Sequence, residues 1–404
     1  MNLISNINDK KILITGGTGF IGGRLVEILE TRYNVEVKVL VSNYSNVPRI
    51  ARFPVEIVKG DLCNPADVHR AASGCDIVFH CAYGNKGTAS DKRRVNIDGT
   101  QNVLSACLAH HVKRLVHLST IMVYGHTKDG HLDEQAPKVK IGGTYSDTKL
   151  DAENMVLDYY KEKGLSTTVL QPTAVYGPYA PVWGVNVLAQ LKSGRTILVN
   201  NGDGFCNGVY IDDLVDSMLL AAVKDSAEGE NFIISGEEPI TWKAFYKYFE
   251  DMLGYCSTVA MSEVEAISIH DKVQTRKSLF KVLKDNSEFK QLLLQTPLFG
   301  KILGTAHQLL PEKIVASIKQ KVKGDPAQIT RNGQNLHNGH TNRPIHPMSE
   351  AQIRFFATKT HFKIDKAKQL LGYQPKYDFD DGMQLTKQWS EAANLLNVES
   401  QLVS

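Results

Sequence analysis

Residues 11–30 read KILITGGTGFIGGRLVEILE. The first five form a short apolar strand around Ile12, Leu13 and Ile14. From Phe20 onward Ile21, Leu25, Val26, Ile28 and Leu29 recur at helical spacing. Between strand and helix lie Gly16, Gly19 and Gly22. Glycines at such a crossing let the backbone approach a pyrophosphate. The helix N-terminus then offers its unpaired N–H groups and the positive end of its dipole. A glycine triplet alone says little; with a strand before it and a helix after it, the stretch reads as a dinucleotide-binding turn.

The pattern continues outward. Strands are expected at 36–41, 55–58, 77–81, 114–118 and 167–170, with helices at 65–72, 95–109 and 145–163. Near-continuous apolar strands alternating with helices predict an α/β fold: a Rossmann-type doubly wound parallel sheet covered on both faces. Residues 1–177 are assigned to this dinucleotide-binding domain, with 209–236 returning to it. After Gly177 the pattern loosens at Pro178, Pro181 and Gly184. A smaller C-terminal substrate domain is expected from 178–208 and 237–404, containing a basic helical insert at 272–323 and a polar linker at 324–350.

The chain has 404 residues, 42% of them hydrophobic and 22% charged, and a net charge of +3. That charge is too mild to argue for nucleic acid, and no apolar run is long enough to span a bilayer. The opening MNLISNINDKK has no signal-peptide core, so a cytoplasmic protein is expected. Six cysteines (Cys63, Cys75, Cys81, Cys107, Cys206, Cys256) lack CxxC spacing and read as reduced thiols. In the basic insert, Ile314, Val315, Ile318 and Val322 form one face and lysines another. A solvated face or a dimer contact is the plainer reading; peripheral docking on an anionic membrane is the sharper one. His337, His340 and His346 fall in the polar linker, where solvated histidines are expected and no metal site.

Hydride transfer to or from a carbinol needs a proton donor beside the nicotinamide. A tyrosine serves if a nearby ammonium pulls its pKa down. Tyr-x-x-x-Lys places both groups on one helix face, but the chain holds three such pairs: Tyr124/Lys128, Tyr145/Lys149 and Tyr159/Lys163. Tyr124 sits at a Tyr-Gly turn, and Tyr159 lies at the far end of its helix. Tyr145 opens that helix after Gly142-Gly143, where it can point back over the sheet edge, and Ser119-Thr120 follows a central strand. Tyr145 and Lys149 are therefore the expected pair.

With these segments in hand the chain resembles the extended short-chain dehydrogenases/reductases of the NAD-dependent epimerase/dehydratase superfamily. Matching stretches are TGGTGFIGG, KGDLCN, HCAYG, VNIDGTQNV, HLSTIMVYG, YSDTK, LQPTAVYGP, VYIDDL and KAKQLLGYQP. The resemblance implies Thr120 as the active-site hydroxyl, Tyr145 as general acid/base, and Lys149 as its electrostatic partner and ribose ligand. It implies a cofactor site of Gly16, Gly19, Phe20, Ile21, Gly22, Asp61, Leu62, Cys81, Ala82 and Tyr83, with Asn96 nearby and Pro172 to Val175 against the nicotinamide. Loop capping is the alternative role for Asn96. Relatives commonly form homodimers by pairing the Tyr/Lys helix with its neighbour, to which Met155, Val156 and Tyr159 would contribute unless they are core.

Departures from the pattern narrow the chemistry. Family dehydratases carry an acid pair directly after the Ser/Thr; Ile121 and Met122 stand there and cannot move protons. Water elimination, and decarboxylation using a carboxylate at that place, are disfavoured. Many nucleotide-sugar members hold the substrate diphosphate with an Arg before the Val-Asp-Asp segment, but here Asn207 and Gly208 occupy that region. Lys192, Arg195 or the basic insert are the candidate substitutes. Ser42 and Asn43 follow the second strand without a strong charge, which favours NAD and leaves NADP open. The expectation is an NAD(P)-dependent epimerase or dehydrogenase acting on a secondary alcohol or ketone of a small, sugar-like substrate, nucleotide- or lipid-linked. A steroid-like dehydrogenase/ketoreductase and a non-catalytic cofactor-binding scaffold are the alternatives.

Overall fold

A computed structural model describes residues 6–285 and 343–397. The first strand, β1 (Lys11–Thr15), is followed by α1 (Phe20–Arg32), β2 (Glu36–Val41), β3 (Glu56–Lys59), α2 (Pro65–Ala72), β4 (Ile77–His80), α3 (Ala89–Ala109), β5 (Arg114–Leu118) and α4 (Thr144–Lys163). Two further strands, Thr167–Pro172 and Asn231–Ile234, complete a seven-stranded sheet. From one edge its order is β3, β2, β1, β4, β5, Thr167–Pro172, Asn231–Ile234, and every pair is parallel. Strand order reverses between β1 and β4, the crevice where ligands of doubly wound sheets bind.

Alternation along the strands builds two cores. Leu13, Leu40, Val78, Leu115 and Val169 pack beneath α2, α3 and α4 with Val68, Val103, Leu104 and Val156. Ile12, Ile14, Phe79, Val116, Leu118 and Leu170 face the other way, onto Leu25, Ile28 and Leu29 of α1. The same side takes Leu214, Val215 and Met218 from the helix Ile211–Val223. Arg24 ties these last two helices together through a two-point pair with Asp212, at 2.7 and 2.8 Å.

Three expectations change in detail. Helix α3 starts at Ala89 rather than at 95, because Thr88 and Asp91 form a reciprocal capping box ahead of the apolar positions. Within 209–236, Gly208–Tyr210 pairs with Ala174–Tyr176 outside the main sheet, and it is Asn231–Ile234 that joins the edge. The described end of the expected 324–350 linker is tied down: Arg195 N–H donates to Pro344 O (2.8 Å), His346 N–H to Arg195 O (2.9 Å), and Ser349 caps the helix Glu350–Ala357. His346 also contacts Ser193 Oγ and Gln190 O, at 3.2 and 3.1 Å.

Beyond the sheet, Trp242 stacks on Phe356 at 4.1 Å, with Trp183 and Phe245 around it. Short strand pairs flank this cluster: Thr196–Val199 with Thr258–Met261, and Gly130–Leu132 with Thr360–Phe362. The basic insert enters the helix Glu263–Asp285. Its apolar stripe from Ile314 to Val322, together with His337 and His340, lies outside the described residues. Among the described residues no helix is long and apolar enough to cross a membrane, and no group of three metal-ligating side chains is gathered.

Candidate active site

The glycine turn sits at the β1–β4 crevice. Gly16 has φ +74°, a conformation L side chains rarely adopt, and a Cβ there would lie 2.7 Å from Ala82 N. Gly19 N–H donates to Gly16 O at 2.9 Å, and Gly19 caps α1 without a side-chain hydrogen bond. A Cβ on Gly22 would lie 2.4 Å from Gly16 O. The result is a bare backbone cradle at a helix N-terminus, opening with Phe20 and Ile21, which fits a pyrophosphate.

Along the crevice the remaining expected cofactor residues are placed one by one. Asp61 is held by its neighbours: its N–H donates to Asp67 Oδ2 and its Oδ1 accepts from Cys63 N, both at 2.9 Å. Leu62 packs against Gly99 of α3, and its carbonyl accepts from Asn102 Nδ2 at 3.0 Å. Cys81 N–H extends the β1 ladder to Thr15 O at 3.0 Å. Pro172 ends its strand, and Val175 lies on the adjoining Ala174–Tyr176 strand. Ser42 brings a cation that the sequence reading did not anticipate, since Lys59 Nζ of β3 donates to its carbonyl. The charge comes from the neighbouring strand rather than from the residues after β2.

Asn96 takes the capping role. Its Oδ1 accepts from Gly84 N at 2.8 Å and its Nδ2 donates to Thr148 Oγ1 at 3.2 Å. It thereby clamps the loop after β4 to α4. Its only signal in the sequence was the VNIDGTQNV segment.

Thr120, Tyr145 and Lys149 converge at the end of β5. Thr120 is buried and starts a short turn over Ile121–Tyr124 by accepting from Met122 N at 3.3 Å. The first turn of α4 is set by Asp147, whose carboxylate accepts Ile141 N and Gly142 N at 3.0 Å each, with Gly142 at φ +82°. This fixes Tyr145, which is 40% exposed and lies beside Thr120. Desolvation raises the Tyr145 pKa, and the Thr120 side chain opposes the rise.

Lys149 is buried one turn later and donates to Leu118 O at 2.7 Å. Burial lowers its pKa to about 8, with Cys81 and Glu153 opposing the shift. Glu153 is itself fully buried and held by Lys138 and by Gln171 Nε2 (2.8 Å). This charge partner of Lys149 was not anticipated, because its own supports come from distant strands and loops.

The competing pairs are structural. Tyr124 is buried and donates to Gln171 Oε1 at 2.8 Å. Tyr159 packs in the core under α3 and α4, with Gln101 on its hydroxyl and Lys163 over its ring. Val156 is wholly buried in that core as well. Of the three residues considered for a dimer face, these two are therefore core, and Met155 is partly buried against them.

A model of the NAD-dependent epimerase/dehydratase family matches residues 12–235, more than half of the chain. The chain is 32% identical over 240 residues to the 2-alkyl-3-oxoalkanoate reductase of Stenotrophomonas maltophilia, covering 57% of this chain and 72% of that one. It is 25% identical over 403 residues to the decarboxylating sterol-4-alpha-carboxylate 3-dehydrogenase of Candida albicans, covering 94% of this chain and 97% of that one. Among solved structures, an epimerase of Methanothermobacter thermautotrophicus aligns with a TM-score of 0.69 at 18% identity, over 98% of this chain and 96% of that one. The chain thus belongs to the NAD-dependent epimerase/dehydratase family and is an enzyme of the extended short-chain dehydrogenase/reductase type, with NAD as the family's cofactor.

Proposed function

We propose that the protein is an NAD-dependent dehydrogenase or ketoreductase that interconverts a secondary alcohol and a ketone on an apolar, lipid-like substrate. The observation that carries this reading is the fate of Asn207, which stands where many nucleotide-sugar members place a diphosphate-holding Arg, and of Lys192, one of the candidate substitutes. Asn207 is spent on the fold: its Nδ2 donates to Thr360 O at 2.8 Å and its Oδ1 accepts from Phe362 N at 3.1 Å. Lys192 donates to the carbonyls of Leu395 and Asn397. The neighbourhood is apolar as well: Ile121 and Met122 follow Thr120, and Val139 and Val182 are exposed on the segments before α4 and after Ala174–Tyr176. The names of the two curated relatives, an alkyl-oxoalkanoate reductase and a sterol dehydrogenase, support the same class.

In this reading Tyr145 exchanges the carbinol proton, Thr120 holds the oxygen, and Lys149 stabilises the phenolate. The nicotinamide, when bound, exchanges the hydride. The test is a panel of a 3β-hydroxysteroid, a 2-alkyl-3-oxo acid, UDP-glucose and UDP-galactose with NAD(H), followed by nicotinamide absorbance and product analysis. Turnover of an apolar substrate is expected. Faster conversion of a UDP-sugar, with the cofactor retained on the protein, would overturn the assignment in favour of an epimerase.

The cofactor's ribose has its own test. The reading takes Lys59 at Ser42 as room for a 2′-phosphate beside the NAD site. Lys59→Glu should weaken NADP binding by about tenfold, the equivalent of one lost charge-assisted contact, and leave NAD binding close to wild type. Equal losses for both cofactors in calorimetric titrations would remove Lys59 from the site.

A further inference from the structure

The loop after β4 carries a residue expected to line the cofactor, and its ring makes further contacts within the site. Tyr83 is partly buried, and its ring meets that of Tyr145 edge to face, with centroids 4.9 Å apart and an interplanar angle of 89°. The Lys149 ammonium lies 5.5 Å from the centroid of the same ring. One aromatic side chain thus touches both members of the acid–base pair.

Its position is held from behind. Gly84, the next residue, is bonded through Asn96 to Thr148 on α4, the helix that carries Tyr145 and Lys149. A Cβ on Gly84 would come within 2.7 Å of Val95, so the loop lies tight against α3. Tyr83 cannot drift from α4 without breaking this clamp.

We propose that Tyr83 is a positioning residue: its clamped ring orients Tyr145 and holds the Lys149 ammonium in its charged form against a π face. An edge-to-face ring pair has a defined geometry that an aliphatic side chain does not reproduce. A cation within about 6 Å of a ring centroid is attracted by the ring quadrupole, more strongly where water is excluded. The groups facing Lys149 are Cys81 and Tyr83 from the loop after β4, His80 from β4, His117 and the Leu118 carbonyl from β5, and Glu153 from its own helix. Both histidines are buried and shifted toward the neutral form. The π face, Cys81 and Glu153 therefore act against desolvation to keep the ammonium.

The experiment titrates Lys149 in cofactor-free protein by NMR of carbon-13-labelled lysine, with its signal assigned through its loss in Lys149→Met. Tyr83→Phe keeps the ring and should titrate as wild type. Tyr83→Leu keeps apolar cover without a π face and should lower the Lys149 pKa by about one unit. Turnover of Tyr83→Leu should fall by about tenfold, with the alkaline limb of its pH profile moved to lower pH by the same amount. NAD affinity is measured alongside, because Tyr83 also belongs to the expected cofactor site, and thermal unfolding reports whether each variant is folded. Tyr83→Met replaces the Leu variant if that one does not fold.

An unmoved Lys149 titration, equal behaviour of the Phe and Leu variants, or a loss confined to NAD affinity would each overturn the proposal. The inference rests on Tyr145 and Lys149 being the acid–base pair. Because the titration needs no turnover, failure of that reading, seen as full activity in Tyr145→Phe, is distinguishable from failure of this one.

Discussion

Tyr145→Phe should lower turnover by about 10²- to 10⁴-fold, the range a single general acid–base group contributes. NAD affinity should remain close to wild type. The substitution removes one oxygen and leaves the ring in its edge-to-face contact with Tyr83, so the site keeps its shape. It deletes the hydroxyl that lies beside Thr120, one turn along α4 from Lys149. Tyr124 and Tyr159 cannot substitute, since both hydroxyls are engaged elsewhere, with Gln171 and Gln101. Steady-state kinetics with the best substrate from the panel, paired with calorimetric NAD titration, separate the two effects. Activity within a few-fold of wild type would mean that another group moves the proton.

Gly22→Ala should abolish tight cofactor binding. The added methyl would lie 2.4 Å from Gly16 O and 2.9 Å from both Gly16 C and Gly17 Cα, all backbone atoms of the cradle. Backbone cannot swing aside as a side chain does, so either the turn opens or α1 withdraws. Overpacking of this kind costs about 1–3 kcal/mol, against about 1 kcal/mol returned by the better helix propensity of Ala. A net loss of thermal stability and at least tenfold weaker NAD binding are expected, one decade corresponding to about 1.4 kcal/mol. Gly23→Ala is the control. Its Cβ would approach the Arg49 guanidinium to 3.2 Å, the end of a side chain rather than backbone. If both variants bind NAD like wild type, the turn is not where the pyrophosphate lies.

Much of the architecture was legible in the order of residues. Apolar runs with abrupt ends gave bounds for β2, β5 and α2 that coincide with the structure, at Glu36–Val41, Arg114–Leu118 and Pro65–Ala72. These elements are set by neighbours within one or two turns, which is the range over which periodicity carries information. The start of α3 escaped because six polar and small residues, Ala89 to Arg94, precede its first apolar position, and a capping box rather than burial begins the helix. The edge strand Asn231–Ile234 escaped because it is four residues long and recognisable as a strand only beside Thr167–Pro172.

The candidate site divides along the same line. The glycine turn and the Tyr145/Lys149 spacing are local and could be read directly, as could the absence of a proton-moving group at Ile121 and Met122. What needed the fold was every decision that depends on residues far apart in the chain. Lys59 reaches Ser42 from the neighbouring strand, Asn96 joins Gly84 to Thr148, and Asn207 is consumed by a strand more than 150 residues away. Tyr83 meets Tyr145 only because the β4 and α4 segments end at the same crevice. The sequence by itself determined the strand–turn–helix grammar and the chemistry available to the site, because hydrophobic period and turn geometry act between near neighbours. Only the tertiary structure decided which polar groups the fold itself consumes, because parallel strands bring together residues that no local spacing relates.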